Sequence, residues 1–128
     1  MATWWRMFFP ISDWFAAFAI TLSIELPIVA LLVRRGESDL VRLGILIVFA
    51  NLATHLAVWY VITQLLLVGT PAYTLVAETW AIVAEAVFYW AAIRGISARR
   101  AMAIAFAANL SSFVAGRLVG YLWPDLMG

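Results

Sequence analysis

Apolar positions dominate four long stretches of this chain, and short polar clusters separate them. The stretches run from about Trp14 to Val33, Gly44 to Val68, Tyr73 to Ile93 and Ala101 to Leu122. A helix that crosses a bilayer needs about 20 mainly apolar residues, and each stretch meets this length. The links are "RRGESDLVR", "GTPA" and "RGISARR". Links this short join antiparallel neighbours. The pattern predicts an all-α polytopic membrane protein, an up-down bundle of four transmembrane helices, with residues 1–128 forming a single transmembrane domain.

Composition supports this reading. The chain is 66% hydrophobic and 12% charged, whereas a soluble domain is about half apolar and roughly a quarter charged. A net charge of +1 offers no field for nucleic acid. Cysteine is absent, which excludes disulfides, thiol chemistry and cysteine metal sites. The opening "MATWWRMFFPISDWF" has no small-x-small cleavage site and does not read as a removable signal. Its aromatics Trp4, Trp5, Phe8, Phe9 and Trp14 read as an interfacial segment, which Pro10 breaks before the first span.

Every basic residue is an arginine, and their placement is uneven. Arg34, Arg35 and Arg42 flank the first link; Arg94, Arg99 and Arg100 flank the third; "GTPA" has none. The positive-inside rule then places both termini outside, with a bacterial inner membrane as the expected location.

Polar residues inside the spans carry the candidate chemistry, because charge in a bilayer is expensive. Counted at ~1.5 Å per residue, Glu25, His55, Glu85 and Asn109 fall near the middle of spans 1 to 4. Asn51 and His55 are four apart and share a face, with Thr54 and Trp59 beside it. Glu78 and Glu85 share another face, which continues to Tyr89. The expectation is a mid-membrane polar cluster of Glu25, Asn51, His55, Glu85 and Asn109, with one or both carboxylates bonded to the imidazole, directly or through one water. Pro27 frees the Ser23 carbonyl, which becomes a further polar group near the cluster. Asn51 is placed to hydrogen-bond Tyr89. Glu78 and Arg117, both in the outer part of their spans, are expected to form a structural ion pair. Gly116 and Gly120 in "GRLVG" form a G-x-x-x-G motif, expected to pack closely on another helix. Asn109 and Ser112 read more plainly as interhelical glue, and Trp59, Trp80 and Trp90 as packing or interface residues.

The segments "ELP", "ANLATH", "VAEAVFYW" and "AANLSSF" resemble recurring segments of small, uncharacterised four-span bacterial membrane proteins. Such sequences carry a proline after the threonine–histidine pair, where this chain has Leu56. The resemblance implies the four-span fold and the same polar set, and it supplies no activity.

Several functions remain open on the sequence. A Glu–His–Glu set can trade protons or hold a cation, which suits a small transport module. Four short spans leave little room for a pore within one chain, so that module would be a homo-oligomer. The same cluster can fix helix register in an accessory subunit of a larger membrane complex. As an enzyme, the chain would use His55, Glu25 and Glu85 as metal ligands. It contains neither H-E-x-x-H nor G-x-S-x-G, so the reading leans away from catalysis. A haem or chlorophyll ligated by His55 is a minor option. No cofactor is assigned, and the one partner the composition names is the lipid bilayer.

Overall fold

The computed structural model describes residues 11–33 and 39–124. The interfacial residues Trp4, Trp5, Phe8 and Phe9, and with them Arg34 and Arg35, lie outside the described residues. Four helices are long and apolar enough to cross a membrane. α1 is Ile11–Val33. α2 spans Leu40–Leu65, α3 is Pro71–Ala92 and α4 is Ala98–Leu122. Each helix packs on its chain neighbours and α4 closes the ring on α1. The chain is an all-α, four-helix membrane-spanning bundle.

Local chemistry sets the helix ends. Asp39 caps α2, its Oδ1 accepting from the Arg42 amide at 3.0 Å. Thr70 caps α3 through the Tyr73 amide at 3.2 Å, with Pro71 in the first turn. Ser97 caps α4 through the Arg100 amide at 3.2 Å. Side-chain acceptors of this kind satisfy amides that have no partner within the helix. They start α2, α3 and α4 two to four residues earlier than hydropathy alone suggests, because a cap can recruit polar residues into the first turn. The links turn at Gly69 and Gly95, whose φ values of +86° and +74° suit glycine.

Two arginines tie neighbouring helices together at the end that carries the first and third links. Arg42 donates to the Ala92 carbonyl at the end of α3, at 2.8 Å. Arg100 donates to the Leu32 carbonyl near the end of α1, also at 2.8 Å. A cation at a helix C-terminus meets both the unpaired carbonyls and the negative end of the helix dipole.

Packing divides the bundle in two. Val29, Val33, Leu43, Ile47, Tyr89 and Ile93 are buried in the half nearer Arg42 and Arg100. The α4 contribution to that half is a stripe of Ala101, Ala105 and Ala108, each fully buried. Small side chains bring helix backbones close where lipid supplies no hydrophobic drive. At the other end, only Ile62 and Ala77 are buried apolar residues among those described.

The expected close packing of Gly116 and Gly120 on another helix is not made within this chain. A Cβ placed on Gly116 or Gly120 would meet nothing within 4 Å. The G-x-x-x-G stripe therefore faces open space within this chain, and the close approach falls on the alanine stripe two to four turns earlier.

α2 changes character midway. Its regular α-helix ends at Ala57, and Val58–Ile62 winds as a π-helix before a last short α turn, Thr63–Leu65. Such a bulge re-aims the residues that follow it and is often found at functional sites. It begins three residues after His55, where the packed half gives way to the open half.

Candidate functional site

The polar residues meet at the boundary between the two halves. Glu25, Asn51, Thr54, Glu85, Asn109 and Ser112 are all buried there, with Glu25 and Asn51 at 0% exposure and Glu85 at 1%. Helix α1 brings Glu25, α2 brings Asn51 and Thr54, α3 brings Glu85, and α4 brings Asn109 and Ser112. The equal rise of each helix delivers these side chains to one depth.

Neutral donors hold both carboxyl groups. The Ser112 hydroxyl reaches Glu25 Oε1 at 2.6 Å, joining α4 to α1. The Asn109 amide donates to Glu85 Oε2 at 2.7 Å, and the Thr54 hydroxyl reaches Glu85 Oε1 at 3.0 Å. Thus one carboxyl group bridges α3 to both α4 and α2. Among the described residues no arginine pairs with either carboxylate.

The hydroxyls have a second acceptor each. Ser112 Oγ is 3.0 Å from the Asn109 carbonyl, and Thr54 Oγ1 is 3.1 Å from the Asn51 carbonyl. A hydroxyl carries one proton and can also accept. It can donate to a carboxylate, or turn to its own helix and accept from a carboxylic acid. Both arrangements use the same heavy-atom positions. The Asn109 amide has no such freedom, since its two hydrogens go to Glu85 and to the Ala105 carbonyl at 2.9 Å.

Among the described residues, five buried polar side-chain atoms have no hydrogen-bond partner: Trp14 Nε1, Glu25 Oε2, Asn51 Oδ1, His55 Nδ1 and Tyr89 Oη. Native proteins leave few such groups, because each costs about 1–3 kcal/mol. Two of the expected contacts are not made directly. Asn51 and Tyr89 do not bond, and the Asn51 amide donates instead to the Ile47 carbonyl at 3.1 Å. His55 makes no direct hydrogen bond to Glu25 or Glu85. Its ring stands edge-on to Phe18, 5.5 Å between centroids at 74°. Phe18 in turn stacks on Trp14 at 5.3 Å and 10°, so an aromatic cluster joins the start of α1 to the middle of α2. Phe18 lies seven residues before Glu25 and shares its face, which is the one sequence signal that marks it as a neighbour of the site.

Other expectations change as well. Among the described residues, no three His, Asp or Glu side chains, His55, Glu25 and Glu85 included, are grouped closely enough to hold a metal ion together. Glu78 and Arg117 form no ion pair, although both line the same cavity. Ser23 and Pro27 are exposed and lie roughly opposite Glu25 around the helix, so the freed carbonyl lies away from the cluster.

That cavity adjoins the polar residues. It has a volume of about 610 Å³ and draws its walls from all four helices in the loosely packed half. Glu25, Glu85, Asn109 and Ser112 lie at its inner end, and Arg117, Gly120 and Tyr121 at the other. From Ser112 to Gly120 it follows α4 for about 12 Å, at 1.5 Å per residue. Gly116 and Gly120 widen it by contributing no side chain.

No family model matches the chain, and no curated protein or solved structure is similar to it.

Proposed function

We propose that this protein is a small membrane transport module that handles a proton or a cation through Glu25 and Glu85. One observation carries the reading. Each carboxyl group touches a hydroxyl that has a second acceptor on its own helix, so the site can hold or release a proton without moving its frame. Two carboxylates in a bilayer with no protein cation beside them need compensation from a proton or from a cation that enters. The adjoining cavity supplies the route. His55 serves as an aromatic wall against Phe18 in this reading and leaves the exchange to the carboxylates. The arginine-rich links face the cytoplasm, which puts the cavity end outside, in a bacterial inner membrane.

The test uses the full chain reconstituted in liposomes under an imposed pH gradient. Flux of protons or of a monovalent cation should appear with the native chain and vanish in Glu25→Gln and in Glu85→Gln while helicity is retained. Equal flux in the glutamine variants would refute the proposal.

A second reading is an accessory subunit of a larger membrane complex. Gly116 and Gly120 favour it, since they leave backbone open where a helix of another chain could pack. Extraction in mild detergent separates the two: a stable hetero-complex supports the subunit, and a bare chain or homo-oligomer supports the module.

A further inference from the structure

We propose that the cavity binds an organic ammonium ion, an amine with an apolar body, whose positive head is received by Glu25 and Glu85. The inference rests on the cation-handling reading above and names its substrate class.

Size is the first argument. A volume of about 610 Å³ far exceeds a proton or a bare metal ion, and it falls in the range of about 300–1,000 Å³ typical of small-molecule sites.

The inner end selects charge. Glu25 is fully buried and lines the cavity, and its Oε2 has no hydrogen-bond partner. Its Oε1 and both oxygens of Glu85 already accept from Ser112, Thr54 and Asn109, which fixes their positions. A prearranged acceptor with one unused oxygen suits a cationic head. Glu78 adds a third acidic group to the walls, against a single arginine, Arg117.

The walls select an apolar body. Val58, Trp59, Ala77, Ala81 and Phe113 line the cavity above the carboxylates. Aromatic faces attract cations as well as apolar surface. The π-helical turn of α2 places Val58 and Trp59 among these walls. Both glycines of the α4 stripe then have a use, because a side chain at either would occupy the ligand's space.

Benzyltrimethylammonium is a suitable probe, because its charge does not change with pH. Its binding to the full chain in detergent is measured by titration calorimetry, with benzyl alcohol as the neutral comparison. The ammonium should bind saturably, weaken on acidification as protons compete, and release protons, seen as a heat that differs between buffers of unlike ionisation enthalpy. Glu25→Gln and Glu85→Gln should each weaken binding by about tenfold or more, the scale of a lost charged contact. Gly116→Leu should block it by volume, and it protects the test if a glutamine variant folds poorly. Equal binding of benzyl alcohol, or unchanged affinity in Gly116→Leu, overturns the inference. No ammonium binding alongside retained sodium, potassium or proton flux overturns it too and leaves the transport reading standing. Carboxylate-dependent ammonium binding without any flux upholds it and removes the transport reading.

Discussion

The Ser112 hydroxyl lies 2.6 Å from Glu25 Oε1, so two residues 87 positions apart form a buried bond between the last helix and the first. Glu25 Oε2 has no hydrogen-bond partner, so the carboxyl group depends on this bond to Oε1. Ser112→Ala should therefore destabilise the protein by about 1–3 kcal/mol, the cost of leaving a buried acceptor unmade. Replacing both partners, as Ser112→Ala with Glu25→Leu, should recover much of that loss. Thermal unfolding in detergent measures both, and additivity of the two changes would argue against the contact.

Alanine and glycine stripes on α4 should respond in opposite ways. Ala105 is fully buried, so Ala105→Leu should force the packed half apart and cost about 1–3 kcal/mol or more. Gly116→Leu adds a Cβ that meets nothing within 4 Å, extends into the cavity, and replaces a poor helix former. It should be neutral or stabilise by up to about 1 kcal/mol. A large loss of melting temperature in Gly116→Leu would mean that another helix or chain covers that face.

His55 and Glu85 should separate in function. His55→Phe preserves an aromatic edge for Phe18, so it should fold normally and keep the pH-dependent flux of the native chain. Glu85→Gln keeps oxygen and size but cannot exchange a proton in the same way, and it should abolish that flux. Loss of flux in His55→Phe with intact helicity would restore the imidazole to the exchange machinery.

Topology is directly measurable because the chain has no native cysteine. Thr70 and Ser97 cap helices and should be left in place, as losing a cap costs about 1 kcal/mol. Their exposed neighbours Val68 and Ala98 are better positions for single cysteines. Val68→Cys should label from outside intact cells and Ala98→Cys from the cytoplasmic side. The reverse pattern would invert the orientation read from the arginines.

Arg100 has a structural role at the same end. Arg100→Gln should lose the bond to the Leu32 carbonyl and cost about 0.3–1 kcal/mol, the range for a cation at a helix C-terminus. Added salt should narrow the difference in melting temperature between the two proteins. A difference unaffected by salt would assign the effect to packing of the arginine stem.

Four helices, their order and the shared depth of Glu25, Glu85 and Asn109 were legible in the sequence. Hydropathy reports which segments prefer lipid, and a helix rises by a constant ~1.5 Å per residue, so position along the bilayer normal follows from counting. What counting cannot supply is the distance between helices and the direction each side chain takes. Those were decided by packing. The alanines at 101, 105 and 108 draw the arginine-bearing half together, whereas Gly116 and Gly120 face space. That difference opens a cavity where an ion pair of Glu78 and Arg117 was expected; the His55 ring meets Phe18, and Thr54, Asn109 and Ser112 take the carboxyl groups. The polar residues and their level belong to the sequence. Their partners belong to the tertiary structure, because a hydrogen bond depends on a few tenths of an ångström and on an angle that only the packed helices define.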